Sequence, residues 1–437
     1  MLKRLHPQQF KNFKDANLEL GAFTLLVGTN ASGKSNIRDA FRFLHGISRG
    51  YSLAEIIGEK WIEGGVLQWR GIRGGTREVT FESRSSFELK LLFSVKDKTH
   101  KRFFFYRIEV EADRSGKAPR VIGEHLVNFG LIKGDGRTLT NRDPTKEEFI
   151  FNSHPKENPP IQKDVNFLKV RVQKKAPGRD PTLSFLSQTP ILSQFIERRN
   201  IQASFRETAR LAMDALSSMR FLDLSPDAMR MPSIPGQTIL GDRGENLSSV
   251  LQAICEDSER KQTLLQWVRE LTPMDAKDFE FPSDFTGKIL LTLVEENGQR
   301  ISAYSASDGT LRFLGIIAAL LGPEPARFYF IEELENGIHP TRLHLLLELI
   351  ERQVYSRNIQ IVATTHSPQL LRLLSPKSLP DASLIYRLPD RQDAKIKGIL
   401  DIPEAQRVIE EQDLATLHES GWLEDMVYFL EDEEPVK

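Results

Sequence analysis

The segment FTLLVGTNASGKSNIRDAFRFL, residues 23–44, restricts the fold of this chain more than any other. Its first five residues are continuously apolar, which is typical of a strand buried on both faces. After the glycine-bracketed stretch, Ile37, Ala40, Phe41 and Leu44 recur at helical spacing. The segment therefore predicts a buried strand, a glycine loop and a helix in that order.

The loop matches the pattern G-x-x-x-x-G-K-[ST] at Gly28, Gly33, Lys34 and Ser35. Glycines let a backbone wrap a β-phosphate, and the N–H groups at the start of the following helix point at it. Lys34 is expected to reach the β- and γ-phosphates of a nucleotide, and Ser35 to bind Mg²⁺. A chance match in a loop is the alternative, and the flanking strand and helix argue against it. The remaining loop residues expected to contact the nucleotide are Asn30, Ala31, Ser32 and Asn36.

Two adjacent acids, Glu332 and Glu333, end the apolar run in FYFIEELENGIHP. Hydrolysis of a nucleotide phosphate needs one carboxylate near magnesium and another that polarises the attacking water. We assign Glu332 to magnesium and Glu333 to the water, because adjacent side chains at a strand end diverge. The alternative is a solvated acidic turn, which the preceding apolar residues disfavour.

His366 follows another apolar run in IVATTHSP, and it could hold the γ-phosphate or the attacking water. A capped core histidine is the alternative. Open α/β sheets bind ligands at the carboxyl ends of their strands, which favours the functional interpretation. In SASDGTLR, Ser307 and Gly309 could form an anion site at a helix N-terminus. From the residues alone, a plain helix cap at Ser307 or Asp308 is the favoured interpretation.

The whole chain has 437 residues, which predicts two or more structural units. A net charge of −1 gives no global field for nucleic acid, and one cysteine excludes an intrachain disulfide. No apolar run approaches a membrane span, so we expect a cytoplasmic protein without membrane contact. The expected units are an N-terminal head part (1–75), an antiparallel β lobe (76–165), a mainly helical insertion (166–284), a C-terminal head part (285–395) and a helical tail (396–437).

These segments together resemble the ABC-type ATPases, and most of all their RecF, SMC and OLD-type branch of AAA family ATPases. The resemblance implies an α/β fold: an ABC-type P-loop head with a mixed sheet, interrupted by inserted β-strands and helices. It also implies a homodimer in which two heads sandwich two ATP molecules. Ser307 and Gly309 would then touch the γ-phosphate bound to the opposite subunit. Gln68, in VLQWRG, is a candidate for the magnesium-sensing glutamine of such heads, or else an ordinary exposed loop residue.

The chain departs from that branch in three respects. Its magnesium acid is Glu332, where many members have Asp. It has no heptad run for a long coiled coil. OLD-type nucleases carry a later Toprim domain with an Asp-x-Asp pair, whereas Asp390 and Asp393 here do not form one. We therefore expect a stand-alone ATPase without nuclease activity.

The resemblance also implies a role, as a switch or clamp in DNA metabolism, repair or anti-phage defence with a separately encoded effector. An ATP-locked scaffold without catalysis and the nucleotide-binding subunit of an ABC transporter are the alternatives. An apolar stripe near the end of the chain either docks a partner or packs on the chain's own domain; it consists of Trp422, Met426 and Phe429. Nine basic residues of the insertion have two interpretations: a local patch that contacts DNA, or a solvated face. They are Lys169, Arg171, Lys174, Lys175, Arg179, Arg198, Arg199, Arg206 and Arg210.

Overall fold

A computed structural model describes most of the chain. The residues described are 1–82, 84–97, 100–112, 116–131, 148–153, 166–174, 179–272, 274–367, 369–388, 391–403, 405, 407 and 409. The strands are β1 Leu2–Phe10, β2 Phe13–Asp15, β3 Leu18–Glu19, β4 Phe23–Val27, β5 Glu59–Ile62, β6 Val66–Arg70, β7 Ser86–Asp97, β8 His100–Glu111, β9 Arg120–Leu131, β10 Phe149–Ser153, β11 Phe167–Val172, β12 Thr182–Leu186, β13 Met219–Leu222, β14 Ala276–Glu280, β15 Thr292–Glu295, β16 Arg300–Ser302, β17 Phe328–Ile331, β18 Gln360–Thr365, β19 Ser383–Arg387 and β20 Ala394–Gly398. The helices are α1 Lys34–Ser48, α2 Leu53–Ile57, α3 Gly75–Glu78, α4 Ile191–Phe195, α5 Ala203–Ser217, α6 Pro226–Met229, α7 Leu247–Cys255, α8 Ser258–Leu271, α9 Asp308–Leu321, α10 Leu343–Arg357 and α11 Gln369–Leu373.

A mixed sheet in the order β13-β17-β18-β4-β19-β20 carries the predicted site residues. The pairs from β13 to β19 are parallel, and β20 is antiparallel to β19. Strands β17, β18 and β4 are neighbours, so their carboxyl ends lie side by side at one edge of the sheet. Those three ends lead to Glu332, His366 and the glycine loop, which is the arrangement that α/β sheets use for ligands.

Both faces of this sheet are buried. On β18, Ile361 and Ala363 pack into one apolar core, and Val362 packs into the other. Every residue of the run FTLLV in β4 is buried, as its continuous apolar pattern predicts. The α/β class and the mixed sheet predicted from the sequence are confirmed.

Helix α1 lies between the mixed sheet and a second, antiparallel sheet that runs from β12 through β7 to β1 and β2. Its Phe41 ring lies 5.0 Å from the ring of Phe328 on the mixed sheet. Its Phe43 ring lies 5.4 Å from the ring of Phe87 on the antiparallel sheet. The helix that begins in the glycine loop is thus held on two sides by aromatic contacts.

Sequence patterns were wrong at several local elements. The alternation in REVTFES, residues 77–83, predicts a strand, but Gly75–Glu78 is a helical turn that follows left-handed Gly74, with a φ of 74°. The glycine-rich composition of residues 63–75 predicts a loop, but β6 within this stretch pairs with β5. Between 166 and 284, the structure has the predicted helices but also strands, and Met219–Leu222 belongs to the mixed sheet. Whether the predicted ranges are separate folding units stays a prediction.

Part of the predicted basic patch is already engaged within the chain. Arg198 donates a hydrogen bond to the Ser184 carbonyl (2.6 Å) and lies over the Phe185 ring. Arg210 pairs with Glu207 at 3.3 Å. These contacts do not test DNA binding, which stays a prediction. Lys175, Asp390 and the stripe Trp422, Met426 and Phe429 lie outside the described residues.

Candidate active site

The glycine loop between β4 and α1 needs glycine at two positions. A Cβ atom on Gly28 would lie 2.2 Å from the Ile385 carbonyl oxygen. Gly33 has a φ of 125°, and a Cβ there would lie 2.8 Å from the Asn12 side-chain amide. No side chain caps α1, which begins directly after Gly33. The backbone N–H groups of its first turn are therefore placed to bind an anion.

Lys34 folds back over this loop from the first turn of α1. Its Nζ donates hydrogen bonds to the carbonyls of Gly28 (2.6 Å) and Thr29 (2.7 Å). The same Nζ lies 3.3 Å from Nδ1 of His366, a residue 332 positions away in sequence. An ammonium group at this position can bind a phosphate oxygen at the mouth of the loop.

A cavity of about 240 Å³ joins the loop to the ends of β17 and β18. Predicted residues that line it are Asn30, Ala31, Gly33, Lys34, Ser35, Asn36, Glu332, Glu333 and His366. Gly28 and Ser32 do not line it, and Ser32 is buried within the loop, where its hydroxyl oxygen has no partner among the described residues. Gln68 is exposed on β6 and does not line the cavity either, so its magnesium-sensing role stays a prediction.

The two adjacent acids have different surroundings. The Glu332 carboxylate forms an ion pair with Arg38 from the second turn of α1. Glu333 has a φ of 51°, which is rare for a residue with a side chain and costs about 1–3 kcal/mol. Its N–H donates to Thr364 Oγ1 (3.0 Å), and its Oε2 accepts from Asn336 (3.1 Å). The side chains diverge, as the sequence predicts for two different roles.

His366 lies between the lysine and the second acid. Its Nε2 is 3.7 Å from Glu333 Oε1, on the opposite side of the ring from Lys34. Its backbone N–H donates to Glu335 Oε1 at 2.8 Å. Sequence reasoning missed Glu335, although it lies two residues beyond the predicted pair in EELENG. The imidazole can therefore contact both a bound phosphate and a water held by Glu333.

Ser35 and Glu332 fit a magnesium ion by the chemistry of their donor atoms. Both line the cavity and present oxygen atoms, the hard ligands that Mg²⁺ prefers. Within the described ranges, no cluster of three or more His, Cys, Asp or Glu side chains could hold a metal ion. Mg²⁺ commonly takes one or two protein ligands beside substrate phosphates, so this donor set suits a metal that arrives with a nucleotide.

Arg73 is a cavity residue that sequence reasoning missed. Its Nε donates to Oδ2 of the buried Asp39 at 3.2 Å, and Lys11 Nζ lies 3.9 Å from the same carboxylate. Burial raises the pKa of Asp39 above its ordinary value, and the charges of Arg73 and Lys11 oppose that rise. The available signal was GIRGG, an arginine between glycines in a stretch predicted as a loop.

Ser307 and Gly309 line a different cavity, of about 330 Å³, at the N-terminus of α9. Ser307 Oγ accepts a hydrogen bond from the Thr310 N–H (3.1 Å), so the predicted helix cap is confirmed. Within one chain, the residues predicted to contact ATP are therefore divided between two cavities.

Comparisons with protein families and known proteins show what this chain is similar to. Residues 23–372 match the AAA_21 family, described as "AAA domain, putative AbiEii toxin, Type IV TA system". A protein of Helicobacter pylori named ATP/GTP phosphatase is 23% identical over 135 residues, which are 30% of this chain and 35% of that protein. The chain thus spans about a third of the length of that curated relative.

Solved structures of SMC heads are similar over most of the chain. The SMC head domain from Thermotoga maritima is 11% identical, with 91% of this chain and 98% of that one covered at a TM-score of 0.39. A SmcHead bound to the C-winged helix domain of ScpA is 13% identical, with 93% and 99% covered at a TM-score of 0.46. An Smc head with an extended coiled coil, bound to the C-terminal domain of ScpA derived from Pyrococcus furiosus, is 12% identical, with 94% and 98% covered at 0.40.

Among the residues that the structure places, no helix is long and apolar enough to cross a membrane. The family match agrees with the predicted resemblance to AAA-type ATPases. Because that match covers more than half of the 437 residues, the chain belongs to the AAA_21 family of AAA-domain proteins.

Proposed function

We propose that this protein is a Mg²⁺-dependent ATPase whose hydrolytic centre is the cavity between the glycine loop, Glu333 and His366. One observation carries the proposal: Lys34, Glu333 and His366 come from distant segments and meet around one cavity. The membership of an AAA-domain family supports ATP as the nucleotide.

Each residue has a distinct part in the proposed reaction. The N–H groups at the start of α1 and the Lys34 ammonium hold the phosphates. Glu333 accepts a proton from a water that attacks the γ-phosphorus, while the bond from that phosphorus to the ADP oxygen breaks. His366 holds the γ-phosphate beside that water. Mg²⁺, held through Ser35 and Glu332, would neutralise charge on the β- and γ-phosphates.

The active form in this proposal is a homodimer. Ser307 and Gly309 line a cavity separate from the glycine loop, so they do not complete the site of their own chain. In a symmetric dimer of the kind that the ABC-type resemblance implies, they would meet the γ-phosphate held by the second copy. ATP would then join the two copies and hydrolysis would release them, which is a ligand-biased switch.

The wider role belongs to the same proposal. The dimer would act as a switch or clamp in DNA metabolism or anti-phage defence, with a separately encoded effector. The support is the resemblance of the ordered motifs to RecF-, SMC- and OLD-type proteins. Purification of the native complex with and without ATP, followed by identification of any bound protein or DNA, tests this part.

The substitution Glu333→Gln tests the chemistry. We expect the variant to bind ATP as the wild type does, and its turnover to fall at least about 100-fold, because an amide does not accept the proton of the water. The measurements are phosphate release and ATP affinity by calorimetry. Glu348→Gln, at an exposed acid on α10, is the matched control.

Two outcomes would contradict the proposal. Turnover that persists unchanged in Glu333→Gln would remove Glu333 from the reaction. A wild type that binds ATP and dimerises without turnover would instead support the ATP-locked scaffold.

A further inference from the structure

The cavity at the N-terminus of α9 is lined by an arginine whose Nη1 atom has no hydrogen-bond partner among the described residues. Arg342 lies at the end of the 3-10 helix Pro340–Arg342 and lines this cavity together with Ser307. Its Nη1 atom is buried and makes no hydrogen bond, and no side chain within the described ranges forms an ion pair with the guanidinium. A buried charged donor left unpaired is more costly than a neutral one. Such a group requires an explanation, and a bound anion is one.

The surroundings of Arg342 favour an anion. The described residues that line the cavity include no carboxylate. The only acid in the first turn of α9, Asp308, is ion-paired at 2.6 Å with Arg230 and does not line the cavity. The N-terminus of the 14-residue helix α9 adds partial positive charge. The cavity thus combines a full positive charge, a helix terminus and the hydroxyl of Ser307.

The backbone conformation fixes Arg342 relative to α9. The side chain of His339 caps the 3-10 helix by accepting from the Thr341 N–H, and the Arg342 N–H donates to the His339 carbonyl at 2.8 Å. The preceding loop packs directly on α9, since a Cβ on Gly309 would lie 2.0 Å from the Gly337 carbonyl oxygen. This loop begins at Glu333 in the other cavity, so one short segment lines both cavities.

We propose that Arg342 is a phosphate-binding residue that holds the γ-phosphate of an ATP molecule bound to the glycine loop of a second copy. The inference rests on the proposed function and adds a residue to it. Arg342 supplies the second copy's nucleotide with a positive charge beside Ser307, and the triphosphate gives the guanidinium the ionic partner that it lacks among the described residues. Arg342 therefore contributes to ATP-dependent dimerisation and turnover, and not to the binding of ATP by its own chain.

Dimerisation in the presence of ATP gives the first test. In a Glu333→Gln background, we expect Arg342→Ala to bind ATP with unchanged affinity by calorimetry. The ATP concentration for half-maximal dimerisation, measured by light scattering, should rise at least tenfold. Arg342→Lys should recover part of the loss because it retains the charge. Arg352→Ala, an exposed arginine on α10, is the control and should dimerise as the parent does.

Mixing two defective copies gives the second test. Lys34→Ala lacks the loop lysine, and Arg342→Ala lacks the proposed partner contact. If Arg342 acts on the second copy, a mixed dimer contains one intact composite site, and turnover should return on mixing the two inactive variants. If Arg342 serves its own chain, neither site is intact and mixing restores nothing.

The outcomes separate this inference from the proposed function. Normal ATP-dependent dimerisation and turnover in Arg342→Ala, or inactive mixtures, would overturn the role of Arg342 alone. Failure of the wild type to bind ATP would overturn the proposed function itself, and the inference with it. If Arg342→Ala lowers the melting temperature, Arg342→Gln is used in its place because it retains much of the packing volume. The same outcomes then test the role of Arg342.

Discussion

At the scale of single residues, the site depends on charges that are held in place by other charges. Arg73 faces the cavity and is oriented by a buried carboxylate, Asp39. Arg38 neutralises Glu332, the acid assigned to magnesium. Neither pairing can be predicted from sequence spacing, because each one joins helix α1 to a residue that follows a separate strand. The residue types of the glycine loop, by contrast, follow directly from what a phosphate requires.

Arg73 should contribute to the affinity for ATP. We expect Arg73→Ala to weaken ATP binding by about 10-fold or more, because a charge-assisted hydrogen bond contributes roughly 1.5–3 kcal/mol. Calorimetric titration with ATP checks this. Arg70→Ala, an exposed arginine three residues earlier on β6, is the control. Equal affinities in the two variants would mean that Arg73 does not contact the nucleotide.

At the scale of elements, one buried acid joins strand β9 to helix α4. Glu124 is fully enclosed and accepts hydrogen bonds from the N–H groups of Ile191 (2.6 Å) and Leu192 (2.7 Å) and from the Tyr106 hydroxyl (2.9 Å). Burial raises the pKa of Glu124 from its ordinary value of 4.5 to about 7. Between those two values the folded state binds more protons than the unfolded state. The resulting stabilisation is complete below pH 4.5 and is lost as the pH rises through about 7.

This linkage predicts a pH dependence that one substitution should reduce. The melting temperature of the wild type should fall between about pH 5 and about pH 8 because Glu124 loses its proton. Glu124→Gln should lack this part of the fall, because an amide does not titrate in that range. Scanning calorimetry at several pH values measures both slopes. Glu256→Gln, at an exposed acid after α7, should keep the wild-type slope. Parallel pH profiles for wild type and Glu124→Gln would refute the assignment.

At the scale of the whole molecule, α1 connects the two sheets. Its Phe41 packs on the mixed sheet and its Phe43 on the antiparallel sheet. The first turn of the same helix lines the cavity proposed to bind the nucleotide. We therefore expect that a bound nucleotide and the two-sheet core stabilise each other.

Removal of one aromatic contact should test this connection. Phe43 is fully buried, so Phe43→Ala is expected to lower the free energy of unfolding by about 3–5 kcal/mol. Phe43→Leu retains most of the apolar volume and should lose less. Denaturant unfolding with and without ATP measures both effects. A change of less than about 1 kcal/mol in Phe43→Ala would show that the contact with the second sheet is dispensable.

The local sequence was sufficient wherever a residue's task depended on its neighbours in the chain. The buried strand FTLLV, the glycine loop, the helix after it and the acids at the end of FYFI are all local patterns. Hydrophobic period and glycine spacing determine such elements, because their physical requirements are met within a few residues. The short elements β6, α3 and β13 escaped these patterns, because their pairing or conformation depends on contacts beyond the segment.

Only the tertiary structure decided which of these patterns share a cavity. It brought Lys34 within 3.3 Å of His366 across 332 residues, and it separated Ser307 from both. It also placed Arg73 in the cavity, and it left the Arg342 Nη1 atom beside α9 without a partner in the part of the chain that the structure describes. The reason is physical, because charge pairing and cavity formation depend on distances in space. The strand order β17-β18-β4 sets those distances, and the number of residues between two positions in the sequence does not.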